Sequence, residues 1–444
     1  MRINRKHRPS RQSAVGFAVR LPLAAAAILC LAAGCRSPDT RPAAADPGGP
    51  GVGRTEAIHG ACADWLGRWP DTNRVAQLSA LAGQIVGRLE AGGRFFVAGD
   101  PGFTDEMDNR AGGFAAATTW DGQTRMSTND VLLVGWFESA GKASRVFKPA
   151  FLGGNNGRFT KALTVLVASR RWPLAAATIS MADPARWPEG LVLLDTDVPP
   201  TVTTHDLALG QCATIAAAYA LEGEMISAAT RRGRTLSFYT SMYEPDSTPF
   251  NDAAVGRAFL DAPRLAPISA GQLAKTYLAT CREQLLTFAA SDQPGQVRRA
   301  AAHLAACQTR GGTVLALMGG HVLQRGGTVP PELWAVAPYG TAGSWKAPQG
   351  LKPGDVLCEM GYLEYPRKDA EAAVAARAEA VTFSVAGAPD APGITNVRTT
   401  WKPWDGCVTV PGYPYRSLPS SGICITAAWY SLMDETRVLL PRGE

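Results

Sequence analysis

Acids crowd one short stretch of this sequence, FFVAGDPGFTDEMDNRAGG from Phe95 to Gly113, where Asp100, Asp105 and Glu106 follow an apolar run that stops at Gly99. Carboxylates gathered where a strand gives way to a helix can serve as general bases, and a nearby histidine can relay the proton. Further acids stand at comparable places: Glu138 after the run ending in Trp136 and Phe137, and Glu364 after the run that breaks at Gly361. His321 falls in a second glycine loop, GGH. Each candidate also has a plainer reading. Asp105 and Glu106 would favour a helix N-terminus whatever the function, and Glu222 with Glu224 would suit a solvated helix face. His205 and His303 read as structural or surface residues, while Thr214 and Thr426, inside apolar helices, can bond back to their own helix as readily as to a ligand.

The elements that must position these residues occur twice. DTNRVAQLSALAGQIVGRLEAGG, Asp71 to Gly93, places Val75, Leu78, Ile85 and Leu89 on one helical face, begins at an Asp or Thr cap and stops at Gly92-Gly93; FFVAG follows as a short buried strand. The same phrase returns as DQPGQVRRAAAHLAACQTRGG, Asp292 to Gly312, with TVLALMGG as its strand. In the same order NDVLLVGW matches GDVLCEMGY, PEGLVLLDTDVP matches WDGCVTVPGYP, and GQCATIAAAYALEGE matches GICITAAWYSLMDE. Matches that keep their order predict a duplicated domain.

Within each copy apolar strands alternate with helical segments, the pattern of a parallel sheet covered on both faces and joined by right-handed crossovers. The expected fold is α/β, with one domain over 55–265 and a second over 266–444. Ligands of such sheets bind beyond the carboxyl ends of the strands, at the switch in strand order, where helix N-termini offer free N–H groups. GDPGFTDEM, WFESAGK and GYLEYP all leave their strands at that edge.

A helix ending in Gly-Gly, a strand, a glycine loop, an acidic helix start, RAGG and then an acid-Val-Leu strand together resemble the sugar isomerase (SIS) domain family, in both copies. The resemblance implies two tandem three-layer αβα domains, each with a parallel sheet of about five strands, that pair with one another and bind phosphosugars. It places the ligand near Gly99, Asp100, Gly102 and Asp105, and at Ser139, Gly141 and Lys142 of the loop FESAGKAS, with Glu364 in the second copy. It also implies Glu106, Glu138 and His321 as the catalytic groups of an aldose–ketose isomerisation, which needs a base to move a proton between adjacent carbons. No cofactor is expected. The family's phosphate loop is rich in Ser and Thr, whereas Glu138 and Ala140 stand where hydroxyls would be, and YLEYPRK in the second copy has neither serine nor glycine.

The start of the chain reads as an address. Arg2, Arg5, Lys6, Arg8, Arg11 and Arg20 precede the apolar LPLAAAAILCLAA, too short to span a bilayer comfortably, and LAAGC resembles the lipobox of bacterial lipoproteins. We therefore expect a signal peptide over 1–35, lipidation at Cys35, a Pro/Gly/Ala linker over 36–54, and an exported protein anchored to a bacterial membrane, facing the periplasm or the cell exterior. Six of the 44 basic residues lie in that signal and none of the 38 acids does, so the remainder is neutral and nucleic-acid binding is set aside. Past Cys35 the cysteines are Cys62, Cys212, Cys281, Cys307, Cys358, Cys407 and Cys424, with no metal-like spacing; they read as mostly buried free thiols, with one bridge open. GGNNGRFTK lacks the Gly-Lys-Ser/Thr ending of a P-loop, and neither GxSxG nor HExxH occurs.

Three functions fit these residues: a carbohydrate-binding lipoprotein with degenerate SIS-like halves, an isomerase or lyase acting on an amino sugar or related carbohydrate, and a structural partner with empty clefts. Convergence of Asp100, Glu106 and Glu138 on one cleft would favour the enzyme; a cleft filled by Phe103, Trp136 and Phe137 would favour the structural partner. The two copies are expected to pair within the chain, with a homodimer left open.

Overall fold

The computed structural model describes residues 53–99, 101–108, 110–121, 123–137, 174–180, 191–198, 204–241, 243–261, 264–318, 334–337, 350–361, 365–387, 391–401 and 406–441. All of these belong to one compact unit, Pro47–Glu444. Two five-stranded sheets, both wholly parallel, organise it.

In the first half, α1 (Arg54–Arg68) and α2 (Thr72–Glu90) lead into β1 (Phe95–Gly99), α3 (Pro101–Met107), β2 (Ala117–Thr119), β3 (Val131–Phe137), β4 (Leu174–Ser180), β5 (Leu191–Asp195) and α4 (Thr204–Arg231). The short α5 (Ser247–Ala254) connects to the second half. There α6 (Gln272–Ala289) and α7 (Gln293–Thr309) lead into β6 (Val314–Met318), β7 (Trp334–Ala337), β8 (Val356–Met360), α8 (Arg367–Ala375), β9 (Glu379–Ser384) and β10 (Ile394–Arg398). A two-stranded antiparallel pair, β11 (Gly406–Thr409) and β12 (Arg416–Pro419), precedes the last helix, α9 (Ser421–Leu439). The strand orders are β2-β1-β3-β4-β5 and β7-β6-β8-β9-β10, the same sequence of positions in both halves.

Local chemistry explains why the matched segments fold alike. The Asp71 side chain accepts the Arg74 N–H at 2.7 Å and so caps α2, a contact of about 1 kcal/mol. Helices α2 and α7 both stop at a Gly-Gly pair whose first member is left-handed, Gly92 at φ 82° and Gly311 at φ 74°. The second member is needed for close approach: a Cβ on Gly93 would lie 1.9 Å from the Asn129 carbonyl oxygen, and one on Gly312 would lie 2.7 Å from that of Gly354. An aspartate then ties each following loop. Asp130 accepts the backbone N–H of Arg94 at 2.8 Å and of Ser127 at 2.7 Å; Asp355 accepts those of Thr313 and Lys352, each at 2.8 Å. Burial alone would push the Asp130 carboxyl up, but the Arg94 side chain and these N–H groups hold it below its usual range.

One expected match does not hold in three dimensions. PEGLVLLDTDVP contributes β5, the edge of the first sheet, but WDGCVTVPGYP contributes β11 of the antiparallel pair, and the edge of the second sheet is β10. An apolar strand pattern records burial and not partner, and β10 had already taken the fifth position.

Helices fill the space between the sheets. α4 lies on β3 and β4, α7 lies on β6, β8, β9 and β10, and α1, α6 and α9 join them, with α1 against α6 and α4 against α9 across the halves. Their apolar residues form one continuous core that includes Leu78, Ile85, Val131, Tyr219, Tyr277, Val356, Phe383 and Trp429. A smaller cluster lies on the opposite face of the second sheet, under α8, where Leu317, Leu357 and Ala380 meet Ala370 and Ala373. The seven cysteines past Cys35 are buried and unbridged, and His303 pairs with Glu379 near the surface. Thr214 bonds back to Gly210 O at 2.8 Å. GGNNGRFTK lies outside the described residues.

Candidate functional site

β1 and β3 are neighbours, with β2 on the far side of β1 and β4 on the far side of β3. The chain therefore departs from their ends in opposite directions, and such a switch leaves a crevice beyond the carboxyl ends. Gly99 closes β1 opposite Gly135 of β3, and Gly102, Asp105 and Glu106 lie on α3 immediately after. The fold thus brings Gly99, Gly102, Asp105 and Glu106 to one sheet end. Asp100, Glu138, Ser139, Gly141, Lys142, His321, Glu364 and Cys35 lie outside the described residues.

Glu106 faces inward. It is fully buried and paired with Arg110 one turn later, itself 2% exposed. Tyr219 on α4 donates its hydroxyl to the Glu106 carbonyl oxygen at 2.9 Å and lies 3.2 Å from Oε1. Arg110 also donates to Ser421 Oγ at the start of α9, in the other half. A Cβ on Gly422 would stand 2.2 Å from Glu106 Oε1, so the last helix approaches this carboxylate as closely as glycine allows. A buried ion pair broken by loss of one partner costs about 3–5 kcal/mol, because the remaining charge is stranded. Glu106 and Arg110 therefore tie α3 to α4 and α9.

Glu222 and Glu224 occupy the same core and not a solvated face, since α4 is enclosed by α1, α2, α6 and α9. Burial pushes the Glu222 carboxyl well above the usual range, and the charge of Glu106 adds to the effect. Burial raises Glu224 as well, although its Oε1 accepts the Gly271 N–H at 2.7 Å. Phe103 is buried with its ring against Gly135, where a Cβ would meet it at 2.2 Å. The space just inside the end of β3 is thus occupied by an aromatic side chain.

The second sheet has the same switch, between β6 and β8. Here the structure brings forward an acid that sequence reasoning passed over. Glu359, next to last in β8, is 5% exposed, and its Oε2 has no hydrogen-bond partner among the described residues. Burial, with Asp369 beside it, pushes its carboxyl up to about 8, so it carries its proton at neutral pH. The signal was legible: GDVLCEMGY places a charged residue where NDVLLVGW has Val134 in an otherwise apolar strand.

No protein-family model matches the chain, and no curated protein matches it. Among solved structures, a Salmonella typhimurium LT2 protein provisionally named as sugar binding superposes with a TM-score of 0.46 at 11% identity, over 86% of this chain and 99% of that one. Tagatose-6-phosphate ketose/aldose isomerase from Escherichia coli gives a TM-score of 0.42 at 12% identity, over 87% and 93%. Neither likeness assigns a role to any residue of this chain.

Proposed function

We propose that this chain is an exported, lipid-anchored protein that binds a carbohydrate derivative at the carboxyl ends of two tandem SIS-like sheets. The carrying observation is the shared strand order, which sets a switch point between β1 and β3 and another between β6 and β8. In the sequence, GDPGF with its glycines and Asp100 follows β1, and FESAGK continues from the end of β3. The burial of Glu106 against Arg110 and Tyr219 favours binding over isomerisation, because a base held in a buried ion pair is not presented to a substrate carbon. Phe103 packed on Gly135 is the observation that favours the second reading, a structural partner with a filled cleft.

Thermal melting of the full chain with galactose, tagatose, N-acetylglucosamine and their 6-phosphates tests this function. A ligand bound only by the native state raises Tm by mass action. A reproducible rise with any member supports carbohydrate binding; a flat response across the panel rejects it in favour of the structural role.

A further inference from the structure

The face of the second sheet that lies under α8 carries a row of polar side chains where an apolar one would be expected. In register, Glu359 of β8 neighbours Thr382 of β9, and Thr382 neighbours Asn396 of β10. Leu317 of β6 stands beside Glu359 on the other side. All three polar residues are buried, at 5%, 0% and 5% exposure. Earlier on the same face the register positions are apolar, with Leu357 beside Ala380 and Ala380 beside Ile394. The polar row is therefore confined to the carboxyl half of the strands, next to the β6/β8 switch.

The row is internally organised. Thr382 Oγ1 donates to Asn396 Oδ1 at 2.9 Å, and Ser384, also fully buried on the same face, donates to the same oxygen at 3.1 Å. Two hydroxyls on one acceptor fix the amide's orientation. Among the described residues, Glu359 keeps one carboxyl oxygen, Oε2, without a partner. A buried polar atom left unpaired is costly, and native structures seldom keep one without a use.

The matching positions of the first sheet are Val134 on β3, Ala177 on β4 and Leu193 on β5. The polar row is therefore not a requirement of the shared architecture, since the other half closes the same sheet without it.

We propose that Glu359, Thr382, Ser384 and Asn396 form a subsite for the uncharged hydroxyl groups of a ligand, present in the second half and absent from the first. The inference rests on the carbohydrate-binding function above and narrows it to the non-phosphorylated part of the molecule. Hydroxyls, an amide and a carboxylic acid exchange hydrogen bonds with a polyol in both directions. The neighbouring Asp369 disfavours an anion, and an acid that keeps its proton offers a cation no counter-charge.

Isothermal titration of the full chain, its Glu359→Val form and its Asn396→Leu form with the same sugars and 6-phosphates separates the cases. Glu359→Val copies the residue of the first half, and circular dichroism with thermal melting checks that each variant folds; Glu359→Gln serves as the conservative comparison. The expected result is that an uncharged sugar binds the parent chain and binds both substitutions about tenfold or more weakly, as loss of a buried hydrogen-bonding partner predicts, with Glu359→Gln retaining more affinity than Glu359→Val. Equal affinity for parent and variants would remove this subsite while leaving carbohydrate binding intact. Binding of the 6-phosphates alone would also overturn it. Binding of nothing would overturn both the subsite and the function on which it rests.

Discussion

Asp130 and Asp355 tie down the same backbone groups at the start of β3 and β8, yet four residues further along those strands Val134 and Glu359 have nothing in common. The two halves agree at the amino ends of their sheets and differ at the carboxyl ends. Agreement extends to the Gly-Gly helix stops, whose second glycines each face the carbonyl of a residue just before the paired strand. Those contacts close turns that any sheet of this order must make, so the same residue types serve in both halves. The carboxyl ends carry no such obligation. One bears Gly135 under Phe103 and the other a buried polar row, so the shared strand order does not dictate the side chains there.

The largest effect should come from the carboxyl end of the second sheet. An acid whose folded-state value is raised is protonated in both states below about pH 4.5; above that the unfolded chain loses the proton and the folded chain keeps it. Glu359 should therefore lower stability by about 1.4 kcal/mol per pH unit from there up to about pH 8, roughly 5 kcal/mol in all, with no further change beyond. Glu359→Gln should remove that slope in urea titrations run at pH 5, 6.5 and 8. An unchanged slope would mean that Glu359 is ionised in the folded protein and that the two sheet ends differ less than their burial implies.

A smaller effect is expected at the amino ends. Asp130→Ala strands the N–H groups of Arg94 and Ser127 and removes the Arg94 ion pair, and should cost about 3 kcal/mol; Asp355→Ala, with two N–H contacts and no arginine, should cost about 2 kcal/mol. Guanidinium denaturation measures both. A neutral result at one site only would break the equivalence of the two loops.

The smallest and most nearly equal pair is Gly92→Ala and Gly311→Ala. A Cβ at either position meets nothing within 4 Å among the described residues, so the left-handed backbone opposes it, at about 1–2 kcal/mol. Thermal melts of the two variants should agree closely; a clear difference would show that the stops of α2 and α7 are not alike.

Much of this organisation was legible in the chain. The Gly-Gly stops, the short apolar strands after them and the acid-Val-Leu strands all fall where periodicity and turn chemistry place them. The site was less legible. Glu106 reads as a mouth carboxylate because the acids of this stretch suggest a helix start, but α3 begins at Pro101 and Glu106 stands in its last turn, with a spacing to Arg110 that suits an i,i+4 ion pair, and Tyr219, distant in sequence, buries the pair. Glu222 and Glu224 suggest a polar face because no local pattern announces that a helix will be surrounded on all sides. The pairing of WDGCVTVPGYP with the wrong strand has the same origin: apolar alternation states that a strand is buried and leaves its neighbour undetermined.

The contact of α4 with α9, reinforced by Arg110 on Ser421 and by Glu106 against Gly422, joins two halves of one polypeptide. Their association is consequently unimolecular. Dilution cannot loosen it, unlike a complex whose subunits must find each other.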